Sequence, residues 1–128
     1  MVKNGIDCID SALPLLAGAK IGLITNQTGV NRSLASTIDI LHKNDLLSCL
    51  FAPEHGIRGD GQAGEGVEDT VDLATGTPVY SLYGNSYHIP EDLLKNLDVI
   101  AFDIQDVGSR FYTYTSTLFP AMQDCAAV

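Results

Sequence analysis

The feature of this sequence that most constrains its fold is a series of short, nearly continuous apolar runs. They lie at residues 20–25, 46–52, 78–83 and 98–104. Runs of this length and continuity are typical of strands buried on both faces of a parallel sheet. Segments with helical periodicity separate them. The sequence therefore predicts an α/β fold, a three-layer Rossmann-like domain with a mainly parallel sheet of about four to five strands.

The first two predicted helices flank the first strand. Residues 5–16 form an opening helix that is weakened by an internal proline and ends near Gly18. After the first strand, Ser33 can cap a second helix. In that helix Leu34, Ile38 and Leu41 recur at spacings of four and three, which places them on one face.

Two further helices are predicted in the second half of the chain. Pro90 opens a helix of one or two turns, because proline is favoured at the first helical position. The last helix runs from about Thr115 past Met122. Pro120 lies within it and is expected to kink it or to mark its true start, because proline lacks the amide hydrogen that an interior position needs.

This order of elements predicts where ligands bind. Right-handed crossovers place every strand-to-helix loop at the same edge of a parallel sheet. Ligands of open α/β sheets bind at that edge, outside the carboxyl ends of the strands. The loops after Thr25, Ala52, Tyr83 and Ile104 are therefore expected to face one crevice.

Composition narrows the classes of partner. The chain of 128 residues fits a single domain over residues 1–128, and 45% of it is apolar. Its net charge of −9 would repel a phosphate backbone, so nucleic acid is not an expected partner. No apolar run approaches the ~18 residues that a membrane span needs. The loop after the first strand lacks the glycine fingerprint of dinucleotide-binding sites, so no cofactor is expected.

The three cysteines show no spacing typical of a zinc site or of a disulfide framework. They are far apart, at Cys8, Cys49 and Cys125. Cys49 lies inside an apolar run and is interpreted as a small core residue rather than a nucleophile.

A long glycine-rich and acidic segment, residues 53–77, follows the second strand. Connections of this length are usually functional or disordered. Glu54 lies directly after the strand, where apolar walls would disfavour its ionised form. A carboxyl in such a place suits a general acid near neutral pH.

Cleavage of a glycosidic bond needs a second group beside the acid. Glu65 lies further along the same glycine-rich loop, which can fold back, so it can supply a second carboxyl. Glu68, Asp69 and Asp72 are interpreted as a solvated acidic turn. Metal binding by this cluster is the weaker hypothesis, because the order lacks the pattern of a calcium loop.

The segment after the fourth strand brings further polar and aromatic residues to the same edge. Asp106 and Arg110 flank a glycine turn and can form a purely structural ion pair, or the arginine can grip a carboxylate with two hydrogen bonds. In an extended segment Tyr112 and Tyr114 would lie on the same face, where their rings could stack against a sugar. Packing of such aromatic rings in the core is the commoner outcome. His55 is the histidine expected in the crevice, whereas His42 and His88 are expected at the surface.

Four motifs in order resemble the exo-β-N-acetylmuramidase family, which was long labelled only as a domain of unknown function. They are LITNQTGV, FAPEHGIRGDGQAGEGV, TGTPVYSLYG and DVIAFDIQDVGSRFYTYTSTL, and they span roughly residues 20–118. The resemblance implies an enzyme that removes terminal N-acetylmuramic acid from the non-reducing end of peptidoglycan fragments. It also implies a Rossmann-like domain followed by a second domain, with the active site between them.

The resemblance and the residue patterns together give the expected site. The expected catalytic carboxyls are Glu54, Glu65 and Asp106. Substrate contacts are expected from Asn26, His55, Arg58, Gln105, Arg110 and Tyr112. No metal ligands are expected. The expected partners are muramic acid saccharides from peptidoglycan and a carboxy-terminal domain of the same protein that is absent from these residues. A periplasmic or extracytoplasmic location is suggested by the resemblance alone.

Two alternatives remain at this stage. The same crevice, acids and tyrosines would serve a sugar- or peptidoglycan-binding module without chemistry. A nicotinamide-dependent glycosidase is compatible with the fold order but is opposed by the absent glycine fingerprint. Because members of the family are longer than this chain, the 128 residues alone are expected to be inactive.

Overall fold

The computed structural model describes residues 2–59, 69–84 and 86–128, which form a five-stranded sheet between two layers of helix. The strands are β1 (Ile21–Thr25), β2 (Leu47–Ala52), β3 (Thr70–Val71), β4 (Pro78–Ser81) and β5 (Val99–Asp103). Along the sheet their order is β3-β4-β2-β1-β5. β1 pairs in parallel with β2 and β5, and β2 pairs in parallel with β4, whereas β3 is antiparallel to β4. The predicted fold class is thereby confirmed.

Helices separate the parallel strands except between the second strand and Pro78–Ser81, where the described residues include only the short strand Thr70–Val71. A short 3₁₀ helix (Gly5–Cys8) leads directly into the first α-helix. Within the described part of the chain, none of the helices is long and apolar enough to cross a membrane. The α-helices are α1 (Ile9–Leu16), α2 (Thr37–Lys43), α3 (Glu91–Leu94) and α4 (Tyr114–Ala127).

The core lies on both faces of the sheet because successive strand residues point to opposite sides. Along β1, Leu23 belongs to a cluster that includes Ile38 of α2, whereas Ile24 belongs to a second cluster that includes Ala121 of α4. Burial of both faces explains why the strands are apolar almost without interruption. Cys49 is buried in the second cluster, and burial raises the pKa of its thiol to about 11. Its predicted role as a core residue is confirmed.

The start of α2 differs from the prediction. Ser36, not Ser33, caps the helix, and its hydroxyl oxygen accepts a hydrogen bond from the Ile38 amide at 3.2 Å. Leu34 is exposed and has a φ of 62°, so it lies outside the helix. The reason is a turn held by the Asn31 side chain, whose oxygen accepts hydrogen bonds from the amides of residues 33 and 35. A local side-chain contact thus competes with helix formation.

Two other details correct the sequence reading. α4 begins at Tyr114 and continues past Pro120, so the proline does not mark the helix start. The expectation of an extended segment from Tyr112 to Tyr114 is wrong for the same reason. β3 was not predicted, because its two residues are exposed and carry no apolar alternation.

Candidate functional site

The carboxyl ends of the four parallel strands meet at one edge of the sheet, as predicted. Two hydrogen bonds join the loops after β1 and β5. The Thr25 hydroxyl donates to the Asp103 carbonyl at 2.7 Å, and the Gln105 amide donates to the Thr28 hydroxyl at 2.8 Å. These contacts fix the backbone next to Asn26. The edge is therefore a defined surface and not a set of independent loops.

Glu54 is the residue on which three of these loops converge. It follows β2 directly, and its side chain is 16% exposed. The Tyr83 hydroxyl, just after β4, donates to Glu54 Oε1 at 3.1 Å. The Thr113 hydroxyl, just before α4, donates to Glu54 Oε2 at 2.8 Å. The hydrogen bond to the Glu54 carboxylate, with some burial, raises the pKa of Tyr83.

The backbone after Glu54 adopts an unusual conformation. His55 has a φ of 71° and Gly56 a φ of 75°, so two successive residues lie in the left-handed region. The Gly56 amide closes the turn on the Pro53 carbonyl at 3.1 Å. A non-glycine residue in this region is uncommon, and such strain clusters at functional sites. The turn brings His55 Nε2 to 4.0 Å from Glu54 Oε1.

An aromatic cleft of about 230 Å³ adjoins this carboxyl. Phe111 is 93% exposed and Tyr112 is half-exposed, whereas Tyr114 is buried. The rings of Tyr112 and Tyr114 lie 6.2 Å apart at a tilted angle. Tyr114 therefore packs in the interior and Tyr112 stays available at the rim. The cleft is lined by Glu54, His55, Phe111, Tyr112, Thr113 and Tyr114.

Arg58 is engaged within the fold. Its Nε lies 2.7 Å from Asp72 Oδ1 and its Nη2 lies 2.8 Å from Oδ2, a bidentate pair. The same guanidinium is 3.6 Å from Asp39 Oδ1 on α2. Asp72 is 6% exposed, so its assignment to a solvated turn is wrong. The expected contact of Arg58 with substrate stays a prediction. In this geometry the guanidinium links the segment after β2 to Asp72 and lies near Asp39 of α2.

A larger groove of about 420 Å³ is lined by residues that follow the Glu54 turn and by residues of β3 and β4. It is bounded by Arg58 and Asp72 and by apolar side chains such as Ile57 and Val79. Both charged groups at its border are already paired with each other. The groove therefore offers less polar chemistry than the smaller cleft at Glu54.

The loop after β5 places Asp106 and Arg110 differently from the expected ion pair. Asp106 Oδ1 accepts a hydrogen bond from the Gly108 amide at 2.7 Å, which closes a turn at a glycine with a φ of 71°. Among the residues described, no ion pair joins Asp106 to Arg110. The structural-bridge interpretation is wrong, and the exposed Arg110 remains available to an anionic ligand.

Asn26 carries a polar group without a partner in the described ranges. The residue is 2% exposed, and its Oδ1 accepts hydrogen bonds from the amide and the hydroxyl of Thr28 at 2.9 and 2.6 Å. These bonds fix the orientation of the amide, and its buried Nδ2 has no hydrogen-bond partner among the residues that the structure describes. Buried donors are normally paired, so this one is a candidate for a role at the site.

Some expected site residues are outside the description, and others were missed. Glu65 and Glu68 lie outside the described residues, so the second carboxyl from the glycine-rich loop remains a prediction. No group of described residues has a geometry suited to a metal ion. The sequence analysis missed Thr28 and Thr113, because a threonine outside a known motif gives no indication of which group its hydroxyl will bind. The QDVGSRFYTY motif contains Thr113, but only the fold brings it to Glu54.

Comparisons with known proteins agree with the resemblance. The family model described as the exo-β-N-acetylmuramidase NamZ, N-terminal, matches residues 21–128. The chain is 54% identical to the peptidoglycan β-N-acetylmuramidase NamZ of Bacillus subtilis (strain 168), over 95% of this chain and 30% of that protein. The chain thus spans about a third of the length of this curated relative.

Two crystal structures from Bacteroides fragilis NCTC 9343 are similar in fold. Both are DUF1343 family proteins. The first is 45% identical with a TM-score of 0.84, over 98% of this chain and 32% of that one. The second is 34% identical with a TM-score of 0.74, over 92% of this chain and 30% of that one.

Proposed function

This chain belongs to the family of the exo-β-N-acetylmuramidase NamZ amino-terminal domain, and from that premise we propose that the whole protein containing it is a glycosidase. The proposed reaction is hydrolysis of the β-linkage that joins a terminal N-acetylmuramic acid to the rest of a peptidoglycan fragment. The observation that carries the proposal is the Glu54 carboxyl, held at the strand edge beside an aromatic cleft.

Glu54 is the proposed general acid. In its protonated form it would donate a proton to the glycosidic oxygen as the bond to the sugar's anomeric carbon breaks. The leaving sugar then departs as a neutral alcohol. Each carboxyl oxygen has two acceptor positions. The Tyr83 hydroxyl uses one of these positions on Oε1, and the Thr113 hydroxyl uses one on Oε2.

A second group must stabilise the positive charge that develops on the sugar or deliver the water. Asp106, which lies at the same edge, and Glu65 are the proposed carboxyls. A 2-acetamido group on the substrate could instead act as the nucleophile, which is a known exception to the scheme with two carboxylates. In that case one enzyme carboxylate would orient the acetamido group.

The proposed substrate contacts follow the chemistry of muramic acid. Its lactyl carboxylate suits the exposed guanidinium of Arg110, which can bind it with two hydrogen bonds. The half-exposed ring of Tyr112 can pack on the apolar face of a sugar. His55, Gln105, Asn26 and Arg58 are proposed as further contacts. Of these, His55 is supported by its place in the cleft, and Asn26 by a buried donor that has no hydrogen-bond partner among the residues that the structure describes.

The test is turnover by the whole protein. A disaccharide with β-linked N-acetylmuramic acid at its non-reducing end is incubated with the protein, and released sugars are quantified. The matched disaccharide with N-acetylglucosamine at that end is the control, because it lacks only the lactyl group. The proposal predicts release from the first substrate and little from the second. Binding of the first without any release would instead support a binding module.

A further inference from the structure

We infer that Tyr83 and Thr113 are positioning residues that hold the Glu54 carboxyl from two sides in its reactive orientation. This inference rests on the proposed function and deepens it. It concerns two hydroxyls that reach Glu54 from different loops, one after β4 and one before α4. Neither hydroxyl is itself assigned a contact with the substrate.

The Thr113 hydroxyl is held by the helix that it precedes. The Thr113 carbonyl accepts hydrogen bonds from the amides of Ser116 and Thr117 at 2.9 and 3.2 Å, which closes the first turn of α4. α4 in turn packs on the sheet through Ala121. A donor on such a rigid element can fix the group that it binds, because its own position is not free to adjust.

The Tyr83 hydroxyl is held in a similar way. The Tyr83 ring packs edge to face against the Tyr87 ring, with centroids 5.9 Å apart. The preceding residue, Leu82, is fully buried, and its amide donates to the Ala52 carbonyl at 2.9 Å. Ala52 is the last residue of β2, two positions before Glu54. The tyrosine is thus tied to the strand from which Glu54 emerges.

The two contacts restrict the freedom of the Glu54 side chain. A glutamate has three rotatable torsions, and a single hydrogen bond would still allow the carboxyl plane to turn about that contact. One donor on each oxygen fixes the plane. Alignment of a reacting group before the substrate binds lowers the barrier of the chemical step, and a shift of about 1 Å can cost about 100-fold in rate.

The prediction concerns kcat rather than KM. Loss of either hydroxyl keeps the Glu54 carboxyl and the cleft, but it allows the carboxyl to sample unproductive orientations. We expect Thr113→Val and Tyr83→Phe each to lower kcat by about 10- to 100-fold, from the usual strength of a hydrogen bond to a charged group. KM should change by less than about 3-fold, because substrate binding is not the step affected.

The experiment uses the whole protein and the muramic acid disaccharide described above. Thr113→Ser is the rescue variant, because it keeps the hydroxyl and loses only a methyl group. Thr115→Val and Tyr80→Phe are matched controls, since each makes the same chemical change and no hydrogen bond of either hydroxyl is found among the described residues. The Tyr80 ring packs on Phe51 in the core. Thermal unfolding of each variant shows whether it is folded.

The outcomes separate the inference from the function that it rests on. A low kcat in Thr113→Val, recovery in Thr113→Ser and normal controls support the inference. Wild-type kcat in both Thr113→Val and Tyr83→Phe overturns it and leaves the proposed function standing, as does a raised KM with unchanged kcat. If Thr113→Val fails to fold, the Tyr83→Phe and Thr113→Ser results decide in the same way. No turnover by the wild-type protein overturns both proposals.

Discussion

The Arg58 guanidinium and the Asp72 carboxylate form a bidentate pair, with Nε 2.7 Å from Oδ1 and Nη2 2.8 Å from Oδ2. The pair joins the segment after β2 to the turn between β3 and β4. Asp72 Oδ2 also accepts hydrogen bonds from the Thr75 hydroxyl and amide at 2.7 and 3.2 Å. The Arg58 contact, followed by those from Thr75, lowers the pKa of Asp72 from 3.8 to about 2 despite its burial.

The first prediction is a pH-dependent loss of stability. Because the pKa of Asp72 is lower in the folded state, its contribution is fully present above the unfolded value and is lost as the pH falls from about 4 towards 2. The shift corresponds to about 2 kcal/mol at neutral pH. Asp72→Asn should therefore reduce the free energy of unfolding by about 2 kcal/mol at pH 7 and by much less near pH 2, measured by urea denaturation.

Asp45→Asn is the control for this experiment. Asp45 is exposed and has a φ of 55°, a conformation that asparagine tolerates. The same chemical change there should leave the free energy of unfolding nearly unchanged at both pH values. An equal loss in Asp72→Asn at pH 7 and at pH 2 would show that the ion pair is not its cause.

The second prediction concerns the Glu54 carboxyl. Glutamine keeps the size of the side chain and loses the titrating proton, and acid–base assistance is worth about 10²–10⁴-fold in rate. Glu54→Gln in the whole protein should lower kcat on the muramic acid disaccharide by about that factor, with little change in folding. The kinetics should use a sugar leaving group, because an activated phenol can depart without an acid.

Glu91→Gln provides the matched control, since Glu91 is exposed in α3 and forms a local ion pair with Lys95 at 2.6 Å. Its effect on turnover should be negligible, because surface ion pairs contribute little. Normal turnover by Glu54→Gln on the disaccharide would remove Glu54 from the catalytic role.

The third prediction concerns the isolated 128 residues. The cleft at Glu54 has a volume of only about 230 Å³ and opens beside the exposed Phe111. An open cleft gives up positioning and exclusion of water, on which active sites rely. The isolated chain should show no measurable release of muramic acid under conditions in which the whole protein does. Clear turnover by the chain alone would show that the rest of the protein is dispensable for the chemistry.

The fourth prediction tests the packing that supports the site. A Cβ added at Gly22 of β1 would lie 2.7 Å from the Phe51 ring, 2.8 Å from Leu97 and 2.9 Å from Ile100. Gly22→Ala should therefore lower the free energy of unfolding by about 1–3 kcal/mol, as overpacked cores do. Gly5→Ala is the control, because a Cβ there meets nothing within 4 Å. Thermal unfolding of both variants measures the difference, and equal melting temperatures would contradict the packing argument.

The sequence by itself determined the fold class and the edge at which the candidate site lies. An uninterrupted run of apolar residues indicates a strand that is buried on both faces. This signal lies in consecutive residues, so it can be read without knowledge of the tertiary structure. The prediction that Glu54 and the loop carrying Gln105 lie at one edge followed from parallel topology alone. Local patterns failed where a side chain acts on a nearby backbone, as when Asn31 holds a turn and moves the start of α2 to Thr37.

The tertiary structure decided which groups touch. Thr113 binds Glu54 although 59 residues of sequence separate them. Arg58 binds Asp72, which the sequence had placed in a solvated turn. The sequence does not show whether a hydroxyl or a carboxylate is hydrated or forms a hydrogen bond with another side chain. Its partner depends on the relative positions of loops that come from different strands, and those positions are set only when the helices and the sheet pack together.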